Sequence, residues 1–402
     1  MTGNDNLAGG ARAPMNAGVA AAGGRGRIRL FYAFPLVPVM TRFSILSCFA
    51  ALLAGLSGAA GAEPIPTAAG FGLDGMAPGG HWAARLTVLR NGYDHRFDNR
   101  GRRVDLDRDY NGLDLARLNP GLSGTLRLDT RAVTEYTELL LGYGVSDDLT
   151  VGIIVPYTRT TTHVRFGVDG GIGNAGMQAV LAGLGYRTPR TVSVAGFADP
   201  TVGVLWRFHK SPVDSAILGF GVRFGIARDD DPNDLFDIPP GDGSTDLRSR
   251  FEYFRDLGRC FDLHLLAEYQ VQLPDHVRAR PGNPLTTASV ERLRRNLGDY
   301  WESDVEIGKR FGNWRLSATW HRYQEKPDRY RSPSGADTSA LSAHTDTRAD
   351  QMRLALSWSG IEAWQGGRLP MPLVVKLEVQ DAVRGQNFVA VRDVYLRLST
   401  SF

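Results

Sequence analysis

The last stretch of the chain, Phe388 to Phe402, alternates apolar and polar residues with a period of two. Successive side chains leave a strand on opposite sides, so this alternation predicts a β-strand. One face, which includes Leu396 and Leu398, is mostly apolar, whereas the other carries Tyr395 and Arg397. An exposed apolar strand of this kind would be a liability in a soluble protein.

The same alternation recurs along most of the chain and predicts about twelve strands in all. A clear example is 260–273, where Phe261 and Leu263 alternate with Asp262 and His264. The other predicted strands are 81–90, 130–145, 149–166, 201–210, 215–226, 246–255, 300–311, 314–323, 348–359 and 371–383.

Long and short connections alternate between these strands. Short turns such as Ser146–Asp148 and Gly312–Asn313 follow even-numbered strands, whereas long polar segments such as 167–198 and 227–245 follow odd-numbered ones. Only the last hairpin, at 384–387, is short where a long loop is expected. Membrane barrels sort their connections in this way, and their strands need about 9–11 residues to cross a bilayer.

Aromatic residues lie near the predicted strand ends, where interfacial girdles belong. We therefore predict that residues 81–402 form an all-β, antiparallel, up-and-down transmembrane β-barrel, with a soluble sandwich or propeller as the alternative. In the fourth long loop, 289–297 is predicted to form a short helix capped by Ser289. The girdle residues are Trp82, Tyr157, Trp206, Trp301, Trp314, Trp358 and Phe402.

Residues 40–62 resemble a secretory signal, because Arg42 precedes a short apolar run that ends in Ala60-Gly61-Ala62. Cleavage is expected before Glu63. Residues 1–39 then result from a start codon assigned too far upstream, or they are an extended n-region. Residues 63–80 are interpreted as a flexible leader. Three other interpretations remain open: a membrane anchor that begins at Leu30, a lipoprotein-like box at 45–48, and a buried helix of a soluble protein.

Charge and cysteine content narrow the function classes. The chain has 402 residues and a formal net charge of +3, but five arginines and only one acidic residue fall within 1–62. The remaining chain is close to neutral, which argues against a nucleic-acid binder. Since Cys48 lies in the predicted signal, Cys260 has no partner for a disulfide or a cysteine-type metal site.

If the apolar faces meet lipid, the opposite faces bring charges of both signs into the barrel. These residues are expected to line an aqueous channel or to plug a narrow barrel by pairing, because unpaired buried charge is too costly. For any one of them, pairing is expected ahead of substrate binding. The predicted lumen residues are Arg85, Glu138, Arg207, Arg223, Arg248, Arg250, Glu252, Asp262, His264, Glu268, Glu302, Asp304, Glu306, Arg310, Arg315, His321, Arg353, Lys376 and Glu378.

No catalytic, cofactor or metal site is predicted. Barrel lipases carry a histidine and a serine close together on their strands. Neither His264 nor His321 has a serine two residues further along the chain. The acidic run from Asp105 to Asn111 resembles half an EF-hand loop but lacks the glycine at the sixth position. Gly241–Ser244 lacks the lysine of a phosphate loop and is interpreted as a turn.

Several stretches resemble known outer-membrane barrels. The terminal Phe402 strand is similar to their closing strand, which is also their assembly signal. The segments LLLGYGVSDDLTVGIIVPY (139–157), FADPTVGVLWRFHKSP (197–212) and PPGDGSTDL (239–247) resemble an outer-membrane family associated with the meta-pathway of phenol degradation and with transport. The resemblance implies an outer-membrane location and uptake of small hydrophobic or aromatic compounds.

The sequence therefore predicts a monomeric channel in the outer membrane of a Gram-negative cell. Its expected partners are outer-membrane lipid and lipopolysaccharide, the barrel-assembly machinery through Phe402, and a small-molecule solute. A non-conducting structural or surface barrel is the main alternative, and a lipid-modifying enzyme is a more distant one.

Overall fold

A computed structural model describes residues 75–117, 119–282 and 287–402 of the chain. Twelve long antiparallel strands form a closed barrel, in which the first strand pairs with both the last strand and its successor. This confirms the predicted all-β barrel. The predicted signal, the segment before it and the start of the leader lie outside the described residues.

All strands are numbered in chain order. The barrel consists of β1 (Trp82–Tyr93), β4 (Thr125–Ser146), β5 (Leu149–Asp169), β7 (Thr201–Lys210), β8 (Asp214–Arg223), β9 (Asp246–Gly258), β10 (Phe261–Gln272), β13 (Tyr300–Phe311), β14 (Trp314–Glu325), β16 (Thr347–Ser359), β17 (Leu373–Gln386) and β19 (Arg392–Ser401).

The remaining elements lie in the connections. They are β2 (His95–Phe97), β3 (Arg103–Asp105), β6 (Val192–Phe197), β11 (Asp275–Ala279), β12 (Glu291–Asn296), β15 (Arg329–Arg331), β18 (Phe388–Val389), α1 (Gly173–Gly183), α2 (Ser339–Ser342), α3 (Ile361–Gln365) and the 3-10 turn Leu115–Arg117. The end of the barrel that carries the long connections is called the loop end, and the other the turn end.

The outer surface of the barrel is a belt of apolar side chains. Phe220 is 55% exposed and Leu354 63%, and both point away from the barrel on strands whose other face is buried. Exposed apolar surface of this extent marks a membrane-facing wall. Among the described residues, no helix is long and apolar enough to cross a membrane.

The closing strand is shorter than predicted. It begins at Arg392, whereas Phe388 and Val389 pair with the short β2 near the loop end. Phe388 and Ala390 are therefore buried, although the alternation placed them on the lipid face. Residues 390–391 belong to neither strand, and Ala390 N donates to the carbonyl of His95 at 2.8 Å, so the period of two does not continue through them.

Two of the predicted connections contain more regular structure than expected. The hairpin of β4 and β5 has strands of 22 and 21 residues, about twice the length that a bilayer needs. The segment 167–198 also contains the helix α1 and the strand β6.

The predicted helix at 289–297 is wrong, because β12 occupies this stretch and pairs with β11 and β15.

Candidate functional site

The interior of the barrel is filled with polar side chains. The predicted lumen residues lie on the inward faces of their strands, and several are almost inaccessible to water. Arg315 is 0% exposed, Glu252 1% and His321 1%, although each lies in a strand whose outward neighbours are exposed. This polar interior is the candidate functional site.

Near the turn end, Arg315, the second residue of β14, reaches across β13 to β10. Its Nη2 lies 2.6 Å from Asp262 Oδ1, and its Nη1 also bonds Glu306 on the intervening strand. Gly308 lies directly between Asp262 and Ser317 in register, and a Cβ there would overlap the guanidinium. The missing side chain of Gly308 therefore gives Arg315 its path.

Asp304 joins a histidine and an arginine in a second cluster. Its Oδ1 lies 2.5 Å from His321 Nδ1, and its Oδ2 accepts a hydrogen bond of 2.8 Å from Arg353 Nη1. Arg353 also donates to Gln380, whose amide in turn donates to Asp393 at 3.0 Å. The cluster thus links inward faces from β13 to β19.

A third cluster lies on β9 and β10. Arg250 Nε donates to Glu252 at 2.7 Å, and the other Glu252 oxygen lies 2.9 Å from His264 Nε2. Arg248 bonds Glu268 through the same carboxylate oxygen twice. Because each arginine in these clusters has a carboxylate beside it, the low exposure of the interior is tolerated.

The other predicted lumen residues also lie inward. Two of them, Arg207 and Arg223, lie at the ends of the barrel. Arg207 bonds the carbonyl of Asp147 at the turn end, and Arg223 pairs with Asp242 at 2.8 Å and with Asp246 at the loop end. One oxygen of Glu302 is buried without a hydrogen-bond partner. The remaining pairs are Arg85–Glu138, Arg310–Asp262 and Lys376–Glu378.

At the loop end the inward face becomes apolar and aromatic. Tyr300 and Tyr323 lie with ring centroids 5.3 Å apart, and Phe388 packs 6.1 Å from Tyr323. Phe97 from β2 is buried in the same group, and the hydroxyl of Tyr93 is buried without a hydrogen-bond partner. We call this group the aromatic mouth; its other buried members are Ala132, Ala349, Ala382, Ala390 and Val391.

Long connections are fastened together near the aromatic mouth. Asp199 accepts backbone hydrogen bonds from Ile226 at 2.9 Å, Ala227 at 2.8 Å and Gly243 at 3.1 Å. Burial, with a contribution from the nearby Asp242, raises the pKa of Asp199 to about 6. These contacts hold two separate connections in one arrangement.

A second fastening point is Arg280, which lies with its guanidinium 4.3 Å from the centre of the Tyr186 ring. It donates to the carbonyl of Pro232 at 2.9 Å and to the side chain of Asn233 at 2.6 Å. It also reaches the carbonyl of Ala288. One side chain therefore ties three connections above the barrel.

At the turn end, residues 75–80 enter the barrel. Met76 packs among the inward-facing Leu205, Ile217 and Phe254, and Ala77 N donates to Thr150 Oγ1 at 2.9 Å. We call residues 75–80 the N-terminal segment. They form the described part of the predicted leader, and they occupy part of the cross-section at this end.

The aromatic mouth and the N-terminal segment were missed by sequence reasoning. A signal for the mouth was present, since Tyr300 and Tyr323 stand on the inward parity of strands whose outward positions are Trp301 and Arg322. Phe97 and Phe388 gave no such signal, because short strands in the connections bring them inward. Met76 belongs to a stretch with no alternation.

The carboxylates of the half EF-hand resemblance are used within the protein. Asp107 Oδ2 accepts from the Thr130 backbone at 3.0 Å, and Asp109 pairs with Arg96. Among the residues that the structure describes, no group of three His, Cys, Asp or Glu side chains is placed to hold a metal ion. Cys260 is a free, exposed thiol in the turn between β9 and β10.

Comparison with known proteins gives one family and a set of similar folds. The profile of the family described as "Putative MetA-pathway of phenol degradation" matches residues 120–359. No curated protein matches the sequence. An outer membrane channel from Pseudomonas putida F1 is 11% identical, with a TM-score of 0.53 over 85% of this chain and 100% of that one. This likeness supports the fold.

Two monoaromatic hydrocarbon channels are more distant in structure. CymD is 11% identical, with a TM-score of 0.34 over 84% of this chain and 96% of its own. A TodX deletion mutant is 9% identical, with a TM-score of 0.39 over 81% of this chain and 91% of its own. Scores this low carry no argument about this chain.

Proposed function

Because the chain belongs to this phenol-degradation family, we propose that it is an outer-membrane channel for small hydrophobic or aromatic molecules. The family match covers more than half of the chain, and the fold is a closed barrel with an apolar outer belt. The long connections then face the outside of the cell and the short turns face the periplasm.

The aromatic mouth is the observation that carries the substrate class. Apolar and aromatic side chains usually face the lipid in such barrels, whereas here Tyr300, Tyr323 and Phe388 face inward and pack together as a buried cluster near the loop end. Pockets for small molecules combine an apolar lining with a few polar groups. The unpartnered hydroxyl of Tyr93 supplies a hydrogen-bonding group of this kind.

Transport through the barrel requires movement of side chains that are packed in its interior. Arg315, Gln351, Gln380 and Asp393 are 0% exposed, so a solute passes only if these side chains move aside. Arg315 is held by ion pairs with Asp262 and Glu306, and Gln380 by hydrogen bonds with Arg353 and Asp393. Rotation of such side chains within the lumen leaves the barrel itself intact. A channel that opens transiently is consistent with this arrangement.

The same packing favours a second candidate function, a non-conducting barrel with a structural or surface role. The two candidates differ in whether the purified protein conducts ions in a planar bilayer. Discrete current steps support the channel, and a silent bilayer that contains folded protein supports the structural barrel. We propose no enzymatic role.

The substrate class is tested by current block in the same bilayer. Phenol added on the side of the loops is expected to reduce the current reversibly, because it occupies the aromatic mouth. Phe388→Ala should weaken this block several-fold. Phe220→Ala removes an aromatic ring from the lipid face and serves as the matched control. A block that is equal in both variants would remove the mouth from the proposal.

Location and assembly form part of the same proposal. We propose that the chain is cleaved before Glu63, is inserted by the barrel-assembly machinery through its Phe402 strand and works as a monomer in the outer membrane. N-terminal sequencing of protein extracted from the outer-membrane fraction tests the first step. Recovery of the protein from the inner membrane or the soluble fraction would contradict the location.

A further inference from the structure

A set of arginines lies on the outer surface of the barrel at one level, on the loop side of the apolar belt. On β19, β1 and β5 the outward face passes from apolar residues to Arg392, Arg90 and Arg159 as it approaches the loops. We call the full set the arginine arc; its members are Arg90, Arg131, Arg159, Arg322, Arg348, Arg384 and Arg392.

The arc crosses seven neighbouring strands, from β14 to β5. Arg384 lies beside the irregularity in the pairing of β16 and β17. Asp350 pairs in register with both Arg322 and Arg384, and Glu135 pairs with both Arg90 and Arg159. Because neighbouring strands lie about 4.8 Å apart, arginines on adjacent strands are within reach of one lipid headgroup. The arc therefore presents a single surface.

Positive charge on this surface exceeds the negative charge. Arg322 lies 3.5 Å from Asp350, and Arg392 forms a bidentate pair with Asp381 at 2.8 and 2.9 Å. Among the described residues, no ion pair joins a carboxylate to Arg90, Arg131, Arg348 or Arg384, although Glu135 and Asp350 are register neighbours of Arg90 and Arg384, and Asp94 lies near Arg131. All four are exposed. Their guanidinium groups are available to a ligand outside the chain.

Among the described strands of the other half of the barrel, no arginine stands outward at this level, and Lys326, which lies over the outward ring of Tyr269, is paired with Asp299. The outward side chains of this half near the loops are Val202 on β7, Leu247 on β9, and Phe224 and Leu273 just beyond the ends of β8 and β10; they are apolar and between 37% and 47% exposed. A rim that merely kept the barrel soluble above the membrane would carry charge all round. The one-sided distribution indicates recognition of a ligand on one side of the barrel.

We propose that the arginine arc binds the phosphate groups of lipopolysaccharide in the outer leaflet, which holds one such lipid against the half of the barrel from β14 to β5. Guanidinium groups bind phosphate through paired hydrogen bonds and remain charged at every physiological pH. The apolar belt below the arc receives the acyl chains. The inference rests on the proposed outer-membrane location and is independent of whether the barrel conducts.

The test is native mass spectrometry of the purified full chain in mild detergent, titrated with lipid A. The variant Arg90→Gln/Arg131→Gln/Arg384→Gln removes three unpaired charges of the arc. The control Arg255→Gln/Arg259→Gln/Lys309→Gln removes three exposed charges at the turn end. We expect the arc variant to bind lipid A at least tenfold more weakly, and the control to bind it like the unaltered protein.

Two further arms identify what is bound. Lipid A from which the phosphates have been removed should bind the unaltered protein as weakly as intact lipid A binds the arc variant. A millimolar excess of inorganic phosphate should compete only slightly, whereas complete competition would mean a site for free phosphate. Equal binding by the arc variant, or equal losses in both triple variants, overturns the proposal.

The proposed location and channel are checked on the same variants, so that their failure can be told apart. The arc variant should fractionate with the outer membrane and give the current steps of the unaltered protein. Loss of lipid A binding with normal fractionation supports the arc alone. Fractionation of the unaltered protein elsewhere would contradict the proposed location and, with it, the lipopolysaccharide inference.

Discussion

Gly308 shows how one residue shapes the interior. Inward glycines leave room beside the barrel wall, and here that room is filled by the Arg315 guanidinium on its way to Asp262. Arg315 is 0% exposed and has two carboxylate partners. A guanidinium displaced from them would leave charges of both signs without compensation in a dry interior.

We therefore expect Gly308→Ala to destabilise the barrel by about 1–3 kcal/mol, because leaving a buried polar group unpaired costs this much. The midpoint of heat-induced unfolding, followed by gel mobility, is the measurement. Gly92→Ala is the control, since a Cβ at this strand position meets its neighbours at ordinary contact distances of 3.6–3.7 Å. Equal midpoints for the two variants would mean that Arg315 is not positioned by Gly308.

Leu396 and Tyr395 test the two faces of the closing strand. Leu396 is 38% exposed on the lipid side, whereas Tyr395 is 1% exposed inside. Arginine at Leu396 should cost about 2–4 kcal/mol if the site lies near the bilayer midplane. At Tyr395 the new arginine meets the carboxylates of Glu378 and Asp393, so we expect a milder loss. Folding yields in lipid vesicles compare the two, and equal yields would contradict the assigned faces.

At the scale of elements, the position of the N-terminal segment depends on a second glycine, Gly144. Gly144 exchanges backbone hydrogen bonds with Gly80 and His81, and a Cβ there would overlap the Pro78 carbonyl. Flexible side chains can move away from such an overlap, but a backbone carbonyl cannot do so unless the segment shifts. Gly144 thus lets the segment lie flat against the wall of the barrel.

We predict that removal of residues 63–80 and the single change Gly144→Ala both raise the conductance of the barrel, because each frees cross-section at the turn end. Single-channel recording in planar bilayers is the measurement. Gly142→Ala on the same inward face is the control, since its Cβ meets chiefly the Thr150 methyl at 3.2 Å. Unchanged conductance in the truncated protein would show that the segment is not a barrier.

How far the sequence predicts the structure also depends on the element. Long strands with one face on lipid, such as β7 and β13, were predicted to their ends, because the bilayer enforces a period of two over the full length. The short strands β2, β12 and β18 were not, since their partners lie in other connections. Inward parity identified the charged residues, but their pairing across strands follows from register, which alternation does not encode.

For the whole molecule, the sorting of connections makes a prediction about sidedness. The exposed native thiol of Cys260 lies at the turn end, whereas Ala336 is exposed in a long connection. We expect a membrane-impermeant thiol reagent to leave Cys260 unlabelled on intact cells and to label it once the cells are permeabilised. Cys260→Ser/Ala336→Cys should be labelled on intact cells. Labelling of Cys260 without permeabilisation would reverse the orientation.

The seam between β1 and β19 has a consequence for the time course of folding. Ala83 pairs with Ser401, so the two edges of the sheet lie near opposite ends of the chain. Contacts this distant in sequence form slowly, because a long loop must close before they contribute any stabilisation. Until the last strand arrives, the eleven others present two open edges and an uncovered apolar face, a state that readily aggregates. A product whose synthesis stops before β19 lacks the strand that pairs with β1 and β17, so its barrel stays open.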